Sequence, residues 1–179
     1  MQDLTEKTRT SQEIYNGRVV HLFRDTVTLP NGKQSVREVI RHSGAVCVIP
    51  ITDAGEVVMV RQFRYPFATT LLEIPAGKME QGENALACAM RELSEETGAQ
   101  AEEWTELGVV YPSVAYLDEK IYMYLARGLT FGQTHTDEDE FLNVERHPLG
   151  EVLNGVLQGD IPDGKTQIAI LKACRLLGL

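Results

Sequence analysis

The sequence predicts an α/β fold in which a mixed sheet and its helices follow a small N-terminal antiparallel sheet. Three observations carry this. Between Leu86 and Thr97 the apolar or small residues Leu86, Ala89, Met90, Leu93 and Thr97 recur at three- and four-residue steps, the period of an amphipathic helix, and Gly98 is its natural stop. Runs of strand character lie on both sides of that helix, and two helical patterns close the chain. Near the N-terminus, Val19 to Leu29 and the alternating segment Ser35 to Ile40 flank Pro30-Asn31-Gly32-Lys33, an Asn-Gly hairpin signal.

Taken in order, residues 1 to 12 are polar, and they are expected to be ordered only by contact with something else. Strand patterning begins at Ile14. Residues 1–42 are expected to form an N-terminal β-sheet unit, and residues 43–179 the main domain. A piece of about 40 residues buries too little core to stand alone, so this sheet must pack on the rest of the chain or on a second copy. The apolar run Ala45 to Ile49, the turn Thr52-Asp53-Ala54-Gly55 and the segment Glu56 to Phe63 read as two adjoining strands. Thr70 to Ile74 is a short strand that stops at Pro75-Ala76-Gly77, where the loop into the helix begins. Trp104 to Tyr111 and Lys120 to Arg127 are further strands, joined by the loop Pro112 to Glu119. After the acidic run Asp137-Glu138-Asp139-Glu140 comes a strand over Phe141 to His147. Leu149 to Leu157 and Thr166 to Leu177 close the chain as helices, with Ile168, Leu171 and Leu176 as expected core contacts.

Composition narrows the function. With 179 residues, 43% of them hydrophobic, the chain can bury a substantial core. It has no apolar run of membrane-spanning length, and MQDLTEKTRTSQ lacks the apolar core of a signal peptide, which points to the cytoplasm. Cys47, Cys88 and Cys174 are far apart and read as buried small hydrophobes. His21, His42, His135 and His147 form no zinc-binding spacing. A net charge of −9 argues against nonspecific nucleic-acid binding, which needs a basic surface. A phosphate-containing substrate would need metal ions and a few arginines to invert the local field.

The expected helix carries the chemistry. At roughly 100° per residue, Glu92, Glu95 and Glu96 fall within an arc of about 100°. They sit in its last turns, where the macrodipole favours cations, so a positive partner is expected there. Arg91, Lys78 and a divalent metal are the candidates, and an all-oxygen patch suits a hard ion such as Mg²⁺ or Mn²⁺. A solvated acidic face is the plainer alternative. Spacing bears on the choice: Gly77, five residues, Glu83, seven residues, then Arg91-Glu92-Leu93-Ser94-Glu95-Glu96-Thr97-Gly98-Ala99. This resembles the Nudix box, G-x5-E-x7-R-E-U-x-E-E-x-G-U with U apolar. Every fixed position is filled, a coincidence on the order of 10⁻⁸ per window.

The resemblance implies the Nudix α/β/α sandwich over roughly residues 43–179. It also implies metal-dependent hydrolysis of a nucleoside diphosphate linked to another moiety, by attack of water at phosphorus. Matched position by position, Glu92 and Glu96 correspond to the main metal ligands, Glu95 to a further one and the backbone carbonyl of Ala76 to another. Glu83 and Arg91 match a pair that holds the loop against the helix. Beyond the box, the N-terminal sheet, Gln62-Phe63-Arg64, Leu72-Glu73-Ile74-Pro75-Ala76-Gly77 and the late acidic loop are similar to bacterial ADP-ribose pyrophosphatases. In that group Arg64 would contact phosphate, unless it is simply a surface strand arginine. Arg37 would stack on the adenine and Glu38 accept from its amino group, across a homodimer interface, or the two form a strand salt-bridge pair. Glu138 matches a general base carried on a loop and Glu140 a residue touching metal, with Glu95 the competing base.

The expected substrate is a nucleotide sugar, ADP-ribose foremost. One position departs from the pattern: ADP-ribose enzymes tend to carry a proline sixteen residues past the last box glycine, where this chain has Val114 and its nearest proline is Pro112. GDP-mannose or another nucleotide sugar is the alternative substrate. A silent ADP-ribose-binding Nudix module is the alternative class; such modules lose box carboxylates or gain a helix-turn-helix, and this chain shows neither.

Overall fold

The computed structural model describes residues 1–135 and 141–179. The chain divides into two compact units, Met1–Ser43 with Tyr111–Glu119, and Gly44–Val110 with Lys120–Leu179.

The first unit is an antiparallel sheet of β1 (Lys7–Asn16), β2 (His21–Thr28) and β3 (Gln34–Arg41), in that spatial order. The hairpin between β2 and β3 turns at Gly32, whose φ of +80° is the left-handed conformation that glycine adopts without a Cβ clash. Leu29 N–H donates to the Lys33 carbonyl at 2.8 Å to close it. Arg41 lies 3.9 Å above the Phe23 ring centroid, a cation–π contact. The segment 111–119 joins this unit through the parallel bridge of Ile40 with Leu117, and Asp118 accepts from His42 N–H at 2.7 Å. Strand structure begins earlier than the expected Ile14. Residues 7 to 12, expected to be ordered only by contact with something else, lie in β1, paired with β2 along its length. Every residue of β1 is exposed on both faces, so the strand has no apolar alternation to announce it.

Among the described residues the second unit stacks two sheets and three α-helices. β4 (Ala45–Pro50), β7 (Ala76–Lys78), β8 (Ala99–Val110) and β9 (Ile121–Phe131) form a mixed sheet of order β7-β4-β9-β8, parallel between β4 and β9 and antiparallel elsewhere. β5 (Glu56–Arg64), β6 (Thr69–Glu73) and β10 (Leu142–Pro148) form an antiparallel sheet of order β10-β5-β6. The expected strands are present, with β8 and β9 running longer than expected and β7 added where the strand was expected to give way to loop. All six residues of β4 are buried, because both of its faces are covered. Successive side chains point to opposite faces. Val46 and Val48 join Tyr124 and Ala126 against α1 (Ala85–Thr97), while Cys47, Ile49, Met123 and Leu125 pack with Val57 and Met59 of the other sheet. α2 (Leu149–Gln158) and α3 (Gly164–Leu177) cover that second cluster through Val152, Val156, Ala169, Ile170 and Ala173. This is the α/β/α sandwich.

The face that α3 buries is not the expected one. Ile168, Leu171 and Leu176 are exposed; Thr166, Ala169, Ile170, Ala173 and Cys174 are buried. Small residues let the helix approach the sheet closely, and the larger apolar ones are left on its flank. In α1 the expected Ala89, Leu93 and Thr97 are buried, with Cys88 beside them, while Leu86 and Met90 are exposed. Ile170→Ala should therefore cost about 2–5 kcal/mol, the range for a buried aliphatic truncation. Leu176→Ala, at a side chain 57% exposed, should stay within about 0.5 kcal/mol. Chemical denaturation of the two variants checks the assignment, and equal losses would contradict it. All three cysteines are buried and free, in keeping with their reading as small hydrophobes.

Candidate active site

The loop from β7 into α1 is built to bring backbone and carboxylates together. Asn84 caps the helix, its Oδ1 accepting from Leu86 N–H at 2.9 Å and from Ala87 N–H at 3.4 Å. At the other end Gly98, at φ +67°, gives its N–H to the Ser94 carbonyl. A Cβ on Gly98 would lie 2.6 Å from the Gly132 carbonyl oxygen, so this position needs glycine for space as well as for conformation. Gly77 meets the helix still more closely: a Cβ there would lie 1.9 Å from Glu92 Cδ. The Glu92 carboxylate thus rests directly on the backbone of β7.

Arg91 ties the acidic patch to the loop. Its Nε and Nη2 donate to Glu83 at 3.0 and 3.1 Å, its Nη1 to Glu92 at 2.9 Å and to Glu95 at 2.8 Å, and its Nη2 also to the Lys78 carbonyl at 3.2 Å. Arg91, with help from the Glu80 N–H, holds the Glu83 carboxyl at about 2. The carboxylates around Arg91, Glu83 first, push the guanidinium above its ordinary value. Cys88 Sγ lies 3.4 Å from Arg91 Nη2, but burial pushes the thiol up to about 12, so it stays protonated at neutral pH. Glu96, the deepest of the three helix carboxylates at 2% exposed, accepts from Ala76 N–H at 3.1 Å. The expected pairing of Glu83 with Arg91 and the meeting of Ala76 with Glu96 are therefore direct contacts.

Arg64, at the end of β5, is pushed above its ordinary value by hydrogen bonding to Glu73, with Asp163 and Glu96 adding less. It reaches Glu73 in two bonds, Nε to Oε1 at 2.6 Å and Nη2 to Oε2 at 2.7 Å. Lys165, from the first turn of α3, bonds Glu73 and Asp163. Burial alone would raise the Glu73 pKa; Arg64 and Lys165 outweigh it and hold the carboxyl below its ordinary value of 4.5. A folded-state pKa below the unfolded one stabilises above the unfolded value and is lost as pH falls through the folded one. The wild-type melting temperature should therefore fall below about pH 4.5, the ordinary Glu value. Glu73→Gln should be less stable at pH 7 yet lose less over that acid range. Thermal melts by circular dichroism between pH 3 and 7 measure both slopes, and parallel slopes would remove Glu73 from the account.

Arg37 and Glu38 lie in the first unit, on β3, and being adjacent in the strand they point to opposite faces. Arg37 pairs with Glu6, and its Nη1 reaches Ser35 Oγ and the Val36 carbonyl. Glu138 and Glu140 lie outside the described residues. Sequence reasoning missed Lys165 and Asp163 and gave Glu73 no role. The only signal was an unremarked Asp-Gly-Lys-Thr at a helix start, which could have flagged Asp163 as an N-cap.

The chain belongs to the Nudix family of hydrolases: residues 41–167 match the NUDIX domain, and residues 6–40 match the nucleoside diphosphate sugar hydrolase N-terminal domain. It is 42% identical to the ADP-ribose pyrophosphatase of Bacillus subtilis, over 95% of this chain and 93% of that one. It is 44% identical to the methanol dehydrogenase activator of Bacillus methanolicus, over 92% and 90%. A solved structure described as an ADP compounds hydrolase superposes with a TM-score of 0.88 at 23% identity, over 99% of this chain and 97% of that one, and so shares the fold. Nudix hydrolases generally need divalent metal ions. No helix among the described residues is long and apolar enough to cross a membrane.

Proposed function

We propose that this Nudix hydrolase cleaves the pyrophosphate bond of ADP-ribose, giving AMP and ribose 5-phosphate, as a cytoplasmic homodimer using Mg²⁺ or Mn²⁺. The observation that carries the reading is the seat of the helix carboxylates, Glu92 on Gly77 and Glu96 on the Ala76 N–H. This donor set suits a hard divalent ion because it is oxygen only, and Gly77 leaves the room the Glu92 carboxylate occupies. Glu92, Glu95, Glu96 and the Ala76 carbonyl would hold the ion. Its chemistry is to offset negative charge on the diphosphate and make a water more acidic.

The chain's own residues divide the remaining work. Arg91 spans Glu83, Glu92, Glu95 and the Lys78 carbonyl, and so fixes the loop geometry that the carboxylates need. Arg64 supplies a phosphate contact, since a guanidinium fork matches phosphate oxygens. Glu138, or in its place Glu95, takes the proton of the attacking water, and Glu140 lies toward the ion. One of Arg37 and Glu38, which face opposite ways on β3, meets the adenine. Residues 1–42 form the dimer-forming unit and residues 43–179 the hydrolase domain. Exposed Ile14, Tyr15, Val19, Val20 and Val36 on the first unit support self-association, and a fully active monomer in sedimentation would remove it.

The reading is tested by supplying Mg²⁺ with ADP-ribose, ADP-glucose, GDP-mannose or NADH and measuring phosphate released after phosphatase treatment. ADP-ribose should turn over fastest. A second reading, GDP-mannose or another nucleotide sugar, is favoured by Val114 standing where ADP-ribose enzymes tend to have proline, and faster release from GDP-mannose would put it first.

A further inference from the structure

Arg64 is held in an unusual way for a side chain 40% exposed. Its partner Glu73 is buried, and Glu73 accepts side-on, from Nε and Nη2. Of the five N–H donors of a guanidinium, those two are spent on Glu73; among the described residues no partner takes the three others, on Nη1 and the far side of Nη2, at its outer end. Lys165 donates to the same Glu73 oxygen that Nη2 uses and to Asp163 Oδ2 at 3.0 Å, with only 14% of its side chain exposed. Asp163 caps α3 by accepting from Thr166 N–H at 3.0 Å and from Thr166 Oγ1 at 2.6 Å. Thr166 Oγ1 accepts in turn from Ile74 N–H at 3.0 Å, one residue past Glu73. The first turn of α3 thus grips both the side chain and the backbone at the end of β6.

We propose that Glu73 and Lys165 are positioning residues that aim the outer edge of Arg64 at the substrate's diphosphate. The inference rests on the reading of Arg64 as the phosphate contact. With Arg64 as its only cationic partner, the Glu73 carboxylate could rotate about its last bond and follow that half-exposed side chain. Lys165 adds a second, buried donor on one oxygen, which fixes the carboxylate plane and with it the direction of the guanidinium fork. Two parallel N–H···O bonds transmit that direction because the fork is rigid and planar.

A double-mutant cycle on the full-length protein with Mg²⁺ and ADP-ribose tests this. Lys165→Met should lower kcat/KM by about 10- to 10²-fold, the scale of a misplaced contact, and Lys165→Arg should restore most of it. In an Arg64→Ala background the same Lys165→Met change should cost less than about twofold, because the residue through which it acts is gone. An equal loss in both backgrounds would make Lys165 a stability residue only and overturn the inference, as would an undiminished rate in Lys165→Met alone. Where Lys165→Met fails to fold by circular dichroism, Lys165→Gln runs the same cycle, since it keeps a donor and removes the charge. The underlying reading is judged separately. Wild type inactive on ADP-ribose refutes the substrate, and the cycle is then run on the nucleotide sugar that turns over fastest. Arg64→Ala with a normal rate refutes the phosphate contact and the positioning proposal with it.

Discussion

Glu96→Gln should keep the fold and lose turnover by about 10²- to 10³-fold or more. The fold survives because the amide oxygen can still accept from Ala76 N–H, a contact that ties this side chain to β7, and the volume is unchanged. Turnover falls because a neutral amide cannot serve as an anionic ligand. Charge stabilisation by a metal is worth several kcal/mol, and each ~1.4 kcal/mol is a factor of ten. The burial of Glu96 sharpens the expectation, since a buried carboxylate is costly unless a cation or hydrogen bonds compensate it. Its site is one that no solvated acidic face would choose. Turnover in saturating Mg²⁺, with circular dichroism alongside, checks both halves. A near-normal rate would remove Glu96 from the metal set, and a lost spectrum would show that the carboxylate is structural.

The parts of this molecule that were legible in sequence are those in which local spacing does the work. The box helix, its glycine stop and the gathering of Glu92, Glu95 and Glu96 on one side follow from the 3.6-residue period. The Asn-Gly hairpin follows from a turn that only a few residues can make. What escaped was set by partners distant in sequence. Glu73 and Lys165 meet across 92 positions, and Arg37 and Glu6 across 31, and nothing local to either pair announces the other. The buried face was misjudged in α3 because large apolar side chains were taken as the contact, whereas the helix packs there largely through Ala, Cys and Thr; in α1 the expected Ala89, Leu93 and Thr97 are buried, while Leu86 and Met90 stay exposed. β1 escaped because an edge strand exposed on both faces needs no apolar pattern; its backbone pairing with β2 is what makes it a strand.

Glu138→Gln should lower the single-turnover rate on ADP-ribose by 10²- to 10⁴-fold, the usual contribution of a general base, with binding of the substrate unchanged. The reasoning is a division of labour. Glu92 and Glu96 are seated against the β7 backbone, and a carboxylate whose lone pairs are committed to a cation is a poor proton acceptor. Glu95 is the competitor, and the structure gives it a specific handicap: its Oε2 already accepts from Arg91 Nη1 at 2.8 Å, so that oxygen is engaged by a guanidinium before any water reaches it. A second structural fact favours a base from the segment after β9. Gly132 N–H donates to the Gly98 carbonyl at 2.7 Å and His135 N–H to the Glu95 carbonyl at 3.0 Å, so the chain entering the acidic run is tied to the end of the box helix. Glu138 is three residues beyond that anchor in sequence. Glu95→Gln should cost less than Glu138→Gln under the same saturating Mg²⁺. If instead Glu138→Gln loses less than about threefold, well short of the general-base range, and Glu95→Gln loses most of the rate, the base lies on the helix and the acidic run serves another purpose.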